Sequence, residues 1–243
     1  MKTIIIIPAR MASVRFPNKP MALINGEPMI QRVWQKAIES NIGPVIVACC
    51  EKEVFNFINS LGGKAVMTSP EHLSGTDRIF EVAKSYSDID QYESIINLQG
   101  DMPLINPSDI KKVNIPLTQG YDIGTLVTNI SIQEEKNINI TKAKVNWIKK
   151  NNLGEAVDFY KISKKIKENI YHHVGIYSFR YNILRNFVSL KPSINETKLK
   201  LEQWRALDSK ISIGVSFAKN VPISVDTEED LIKVENIIKS NND

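Results

Sequence analysis

Two cysteines are all that this 243-residue chain contains, and they stand side by side as Cys49 and Cys50. Two thiols cannot complete a tetrahedral zinc site, and the Cys-x-x-Cys spacing is missing. Buried, reduced thiols at the end of an apolar run are the expectation. Histidine is scarce: His72, His172 and His173 show no metal-binding spacing with the cysteines. His173 opens the strand-like run HVGIYSF, where a core histidine with a satisfied ring is the ordinary reading. Long hydrophobic runs are lacking too. The apolar stretch 4–7 is too short for a signal peptide, and nothing approaches the roughly 20 apolar residues of a membrane helix. A cytoplasmic chain with no membrane partner is therefore expected. Net charge is only +4, which does not suggest a nucleic-acid binder with its usual concentrated basic face but leaves room for a local anion site. The glycines of a P-loop, the Gly-x-Gly-x-x-Gly fingerprint and a Gly-x-Ser-x-Gly elbow are all absent.

What is present is an ordinary globular composition, 42% hydrophobic and 24% charged, on a length that fits one large α/β domain or a domain with an insertion. Residues 3–7 are a β-branched run ended by Pro8, the pattern of a strand buried on both faces of a parallel sheet. Residues 9–26 hold Pro17 and Pro20 without helical period and read as a long loop. Pro28 is expected as the first residue of a helix whose buried face carries Ile30, Val33, Trp34, Ala37 and Ile38. Strands at 45–48, 65–67 and 94–98 then alternate with helices at 52–61, 75–86 and 107–115. That alternation predicts an α/β fold with a doubly wound, mostly parallel sheet. Further on, the pattern predicts a strand at 121–130, a hairpin of 142–148 with 155–159, and a strand at 173–179. Helices follow near 181–188 and 196–207, then strands at 211–217 and 223–225 and a closing helix at 227–240.

Open α/β sheets bind ligands beyond the carboxyl ends of their strands. Three predicted strand ends carry charge. After the first come Arg10, Arg15 and Lys19, three cations within ten residues. They suit a triphosphate, although an exposed loop with solvated cations has the same composition. After the fourth comes Asp101 in LQGDMPL, and after the last comes Asp226 in SVDTEEDL. Two carboxylates can hold a magnesium ion whose remaining ligands are water and phosphate oxygens. Asp101 could equally be a turn residue after Gly100, and Asp226 the N-cap of the last helix. Ser74 and Asp77 resemble a capping box, and the helix N-terminus behind them offers free N–H groups to a ligand.

Taken as blocks, IPARMASVRFPNKPMALINGEPMI, HLSGTDR, INLQGDMPLI, HHVGIYSFR, LEQWRAL and VDTEEDL resemble, in the same order, the 3-deoxy-manno-octulosonate (Kdo) cytidylyltransferases. The match spans nearly the whole chain and is weakest between about residues 131 and 170. The resemblance implies a Rossmann-like nucleotidyltransferase domain over residues 1–243. Within it, a smaller mixed α/β insertion, about residues 131–210, would serve the sugar site and dimerisation. It implies transfer of CMP from CTP to the anomeric hydroxyl of Kdo, giving CMP-Kdo and pyrophosphate for lipopolysaccharide biosynthesis. On matching positions, Arg10 and Lys19 would bind the triphosphate with Arg15 nearby. Pro8, Ala9, Ser74, Arg78 and Gln99 would contribute to the nucleotide site, and Asp101 and Asp226 would hold Mg2+. Arg10, Lys19, Asp101 and Asp226 would be the catalytic set. Lys161, His173, Tyr177, Glu202 and Gln203 would line the sugar pocket, and the protein would be a homodimer.

Two departures from the family pattern stand out. Asp158-Phe159-Tyr160-Lys161 replaces the usual Tyr-Phe-Ser-Arg run, which loses the bidentate grip of arginine on a carboxylate. Cys49-Cys50 stands where Thr-Asp is usual. A cytidylyltransferase for 8-amino-Kdo or a neuraminic-type acid is the alternative enzyme. The first loop lacks the Gly-Ser-Lys-Gly run of neuraminate synthetases, which favours Kdo. A catalytically silent relative predicts loss of Lys19 or of a metal carboxylate, and all three residues are present.

Overall fold

The computed structural model describes residues 1–12, 16–161, 168–219 and 222–240. Arg15, predicted beside the triphosphate, lies outside the described residues. The chain forms two compact units: Lys2–Ile110 with Pro222–Asp243, and Lys111–Val221 with Met1.

The first unit begins with β1 (Thr3–Ala9), whose isoleucines are fully buried as their unbroken apolar run demands. The long loop after it is not featureless. It contains a short 3-10 turn at Lys19–Met21 and a two-residue ladder of β2 (Leu23–Ile24) with β3 (Glu27–Pro28). Pro28 is thus the N-cap in extended conformation, and α1 (Met29–Glu39) starts one residue later than expected. Leu23 and Pro28 are register partners in that ladder, and the Met29 N–H donates to the Ala22 carbonyl at 2.9 Å. Then come β4 (Val45–Cys49), α2 (Lys52–Ser60), β5 (Lys64–Met67), α3 (Gly75–Ser85) and β6 (Ser94–Asn97). The strands are parallel in the order β5-β4-β1-β6. The chain enters at β1, winds outward through β4 and β5, then returns to the opposite side of β1. The carboxyl ends of β1 and β6 therefore flank the reversal in strand order, where such sheets bind ligands.

After α4 (Pro107–Lys112), at which the chain passes into the second unit, come α5 (Ile115–Thr118), β7 (Ile123–Thr128) and α6 (Ile132–Lys136). The predicted hairpin is present as β8 (Lys142–Lys149) and β9 (Leu153–Tyr160), turning through Asn151 in the left-handed region. β10 (Ile170–Phe179) and α7 (Tyr181–Ser189) follow. The helix expected at 196–207 is two helices, α8 (Ile194–Leu199) and α9 (Gln203–Asp208). Lys200 breaks them by adopting φ 54°, and a capping box of Ser193 and Glu196 starts the first. β11 (Ile213–Phe217) completes the unit. Its strands run β10-β7-β11-β9-β8, and a further pairing of β8 with β10 closes the order into a ring. Among the described residues, β7 with β11 is the one parallel pair there, and β8 and β9 are antiparallel as their short hairpin connection requires.

Returning to the first unit, residues 223–225 form no strand, contrary to the sequence pattern. Instead the Val225 N–H donates to the Asp101 carbonyl at 2.9 Å. The closing helix α10 (Glu228–Ser240) follows. Val225 and Val234 pack with Ile24 and Met29, which ties the C-terminal segment to the first loop. None of the described helices is long and apolar enough to cross a membrane.

Candidate functional site

A cavity of about 290 Å3 opens at the carboxyl ends of β1 and β6. Most of the predicted nucleotide-site residues meet there: Pro8, Ala9, Arg10 and Lys19 from the first loop, Ser74 and Arg78 from α3, Gln99 and Asp101 after β6, and Asp226 before α10. Gly100 lets β6 and β1 end side by side, since a Cβ there would sit 2.9 Å from the Pro8 carbonyl oxygen.

Lys19 is the centre of the charged group. Its ammonium lies 2.8 Å from Asp101 Oδ2 and 3.3 Å from Asp226 Oδ1. Burial opposes the charge on Lys19, but the carboxylates, Asp101 foremost, outweigh it and raise the pKa above the ordinary lysine value. Two carboxylates from chain positions far apart thus converge on one cation. Asp226 does not cap α10: the Thr227 hydroxyl accepts from the Asp230 N–H at 3.2 Å and takes that role, leaving the Asp226 carboxylate to face Lys19.

The uncharged part of the cavity is built on α3. Ser74 caps that helix by accepting from the Asp77 N–H at 3.1 Å, as its sequence context predicted. Arg78 is 2% exposed. Its Nη1 donates to Thr68 Oγ1 at 2.6 Å and to the Ser69 carbonyl at 3.2 Å, while Nη2 is buried with no hydrogen-bond partner among the described residues. Glu81, one turn along α3, accepts from the Ser69 N–H and pairs with His72. These contacts fix the 68–73 loop as the cavity rim. His72 lines the cavity and escaped sequence reading, since it has no metal-type spacing.

Cys49 is buried, and burial pushes its thiol up to about 12, so it is an inert core group as expected. Cys50 is half-buried, and its thiol donates to Glu51 Oε1 at 3.2 Å. The same oxygen accepts from the Met11 N–H at 3.0 Å, anchoring the first loop just after Arg10.

In the second unit, Tyr177, Glu202 and Gln203 line a small cavity with Phe179, Phe187 and Ile213. The Gln203 amide donates to the Tyr177 hydroxyl, and burial raises the Tyr177 pKa far above the ordinary phenol value. His173 is buried next to Tyr177, their rings 5.6 Å apart. Its Nε2 bonds Thr125 Oγ1 at 3.0 Å, and its ring meets Phe159 edge-on. Lys161 does not join them in that cavity. Its carbonyl accepts from Lys142 Nζ at 2.7 Å at the end of β9. Lys142, fully buried, was missed because a lysine at a strand start reads as solvent-facing.

Burial, with a smaller contribution from His172, lowers the His173 pKa to about 3. The depressed value gives a signed expectation. The unfolded chain binds a proton near pH 6.5 that the native state refuses, so this contribution to stability is complete above about pH 6.5 and is lost as pH falls toward about 3. A His173→Gln variant is therefore expected to lose less stability than the parent between pH 7 and pH 4 in urea melts. Parallel losses in both proteins would contradict the buried neutral imidazole.

A family model described as cytidylyltransferase matches residues 4–213. A 3-deoxy-manno-octulosonate cytidylyltransferase of Paramagnetospirillum magneticum is 41% identical over 98% of both chains. One from Parvibaculum lavamentivorans is 40% identical over 95% of this chain and 90% of its own. Among solved structures, a CMP:2-keto-3-deoxy-manno-octonic acid synthetase complexed with CTP superposes with TM-score 0.89 at 32% identity, covering 99% of this chain and 100% of that one. A UDP-glucose pyrophosphorylase, at 16% identity and TM-score 0.67, shares the fold. With its nucleotidyltransferase sheet and these full-length relatives, the chain belongs to the cytidylyltransferase family, among the 3-deoxy-manno-octulosonate cytidylyltransferases.

Proposed function

We propose that this protein transfers CMP from CTP to the anomeric hydroxyl of Kdo, with release of pyrophosphate. The observation that carries the reading is the convergence of Lys19, Asp101 and Asp226 in one cavity at the carboxyl ends of β1 and β6. The sugar hydroxyl oxygen attacks the α-phosphorus, a new P–O bond forms, and the bond to the β-phosphate oxygen breaks. Arg10 and Lys19 bind the triphosphate and oppose the negative charge that builds on the departing pyrophosphate. Arg15 is proposed to join them. Ser74, Arg78 and Gln99 hold the cytosine, with Pro8 and Ala9 forming the wall against which the nucleoside packs.

Asp101 and Asp226 are proposed to hold Mg2+. Their fit rests on the donor set: two carboxylate oxygens already meet around one cation, and magnesium favours one or two carboxylates with waters and phosphate oxygens. Bound there, the ion would neutralise phosphate charge and polarise the α-phosphate. Lys161, Tyr177, Glu202 and Gln203 are proposed to bind the sugar acid, with His173 packed next to the Tyr177 ring. Lys161 lies outside the cavity that Tyr177, Glu202 and Gln203 line, so its part in binding the sugar carboxylate, as a point charge in place of arginine, stays an expectation from the family pattern. A cytoplasmic homodimer remains the expected state, and size-exclusion with light scattering reads the mass directly.

The test is pyrophosphate release by the purified chain with CTP, magnesium and a panel of sugar acids. Release with Kdo supports the reading. Release with 8-amino-Kdo or a neuraminic acid but not with Kdo would move the substrate assignment. No release with any acid despite CTP binding would make the protein a silent relative.

A further inference from the structure

A side-chain amide can present either its oxygen or its NH2 group to a ligand, and that choice decides which pyrimidine fits. Gln99 is held one way round. Its Nε2 donates to Asn97 Oδ1 at 2.9 Å, and Asn97 Nδ2 in turn donates to Thr76 Oγ1 at 3.3 Å. Asn97 is 1% exposed and Thr76 3%, so the two lie in the core between β6 and the first turn of α3. With its NH2 group engaged inward, the Gln99 amide offers its carbonyl oxygen to the cavity. That oxygen stands beside Gly75, 3.5 Å from where a Cβ would be. Gly75, Gln99 and Arg78 all line the cavity. This wall therefore presents the Gln99 carbonyl oxygen as an oriented acceptor.

Cytosine complements that wall: its exocyclic amine donates, while its ring N3 and O2 accept. Uracil reverses the first two, with a carbonyl at the exocyclic position and N3–H in the ring, and would set acceptor against acceptor at Gln99. We propose that Asn97, backed by Thr76, is the positioning residue for base selectivity. It fixes the Gln99 amide so that the cavity accepts CTP and rejects UTP. This rests on the reading that Gln99 and Arg78 face the base. Sites built to hydrogen-bond a substrate group discriminate strongly because a mismatched ligand leaves buried polar atoms unpaired. A free amide would simply rotate to suit uracil and lose that discrimination.

The experiment compares kcat/KM for CTP with that for UTP by pyrophosphate release, using the full chain and saturating Kdo. Asn97→Leu removes both hydrogen bonds at similar volume, and the CTP-over-UTP ratio is expected to fall about tenfold or more. Asn97→Asp keeps an acceptor for Gln99 Nε2 and is expected to stay within about threefold of the parent ratio. A folded Asn97→Leu enzyme with the parent ratio would overturn the proposal, as would an Asn97→Asp enzyme that loses selectivity as completely. Should Asn97→Leu give no folded protein, Thr76→Val decides: a reduced ratio supports the proposal and an unchanged ratio overturns it. Gln99→Leu separates the two readings. If it keeps the parent ratio, Gln99 does not read the base. If it loses the ratio while Asn97→Leu keeps it, only the positioning role of Asn97 fails.

Discussion

Asp101→Asn is expected to lower turnover at least about 1,000-fold, about 4 kcal/mol of transition-state stabilisation, while the protein stays folded. The fold is spared because the structural bond at this position uses the backbone: the Val225 N–H donates to the Asp101 carbonyl, which the substitution leaves in place. What changes is the carboxylate. An amide is a poor ligand for a hard cation, and only one of its two terminal atoms can accept. Lys19 would lose its nearer partner, at 2.8 Å, and keep the Asp226 contact at 3.3 Å. Pyrophosphate release at saturating CTP and Kdo, alongside a thermal melt, measures both effects. A folded variant retaining more than about a tenth of parent turnover would remove Asp101 from the proposed metal and phosphate site.

Lys19→Ala carries the second large effect. Its kcat/KM for CTP is expected to fall about 100- to 1,000-fold, because the triphosphate would lose its buried cation and meet two carboxylates that Lys19 no longer offsets. The sign of the Lys19 pKa shift adds a pH expectation. A raised lysine pKa means the ion pairs stabilise the fold fully below the ordinary lysine value, near pH 10.5. They are lost only as pH rises through the raised one. The ammonium thus persists through the neutral range, and the rate should show no step between pH 6 and pH 9 that Lys19→Ala abolishes. Unchanged kcat and KM in Lys19→Ala would sink the triphosphate role.

Much of this site was legible in the chain itself. The β-branched run before Pro8, and the strand-helix alternation after it, predicted a parallel sheet, and the sheet puts Arg10, Lys19, Gln99 and Asp101 at one edge. Asp226 was legible as a carboxylate but ambiguous in role. Capping and ligand binding both favour a short acidic side chain before a helix, and only the Thr227–Asp230 bond separates them. Partners distant in sequence were not legible. Residues 223–225 read as a strand because two β-branched residues enclose a serine, yet their ladder partner is a single carbonyl at Asp101. The break at Lys200 was hidden because a lysine in the left-handed region has no local signature. Asn97 looked like one polar residue closing a buried strand. Its link to Thr76 spans 21 positions and emerges only when α3 docks beside β6.

The most direct test follows phosphorus through the reaction. In a 31P NMR spectrum of CTP, magnesium, Kdo and the purified chain, attack at the α-phosphorus predicts that the triphosphate signals give way to two products in equal amounts. One is pyrophosphate, and the other is a single-phosphorus diester joining CMP to the sugar acid. Appearance of CDP with orthophosphate would place the cleavage at the wrong phosphorus. An unchanged CTP spectrum in the presence of Kdo would contradict the assignment of this protein as a Kdo cytidylyltransferase.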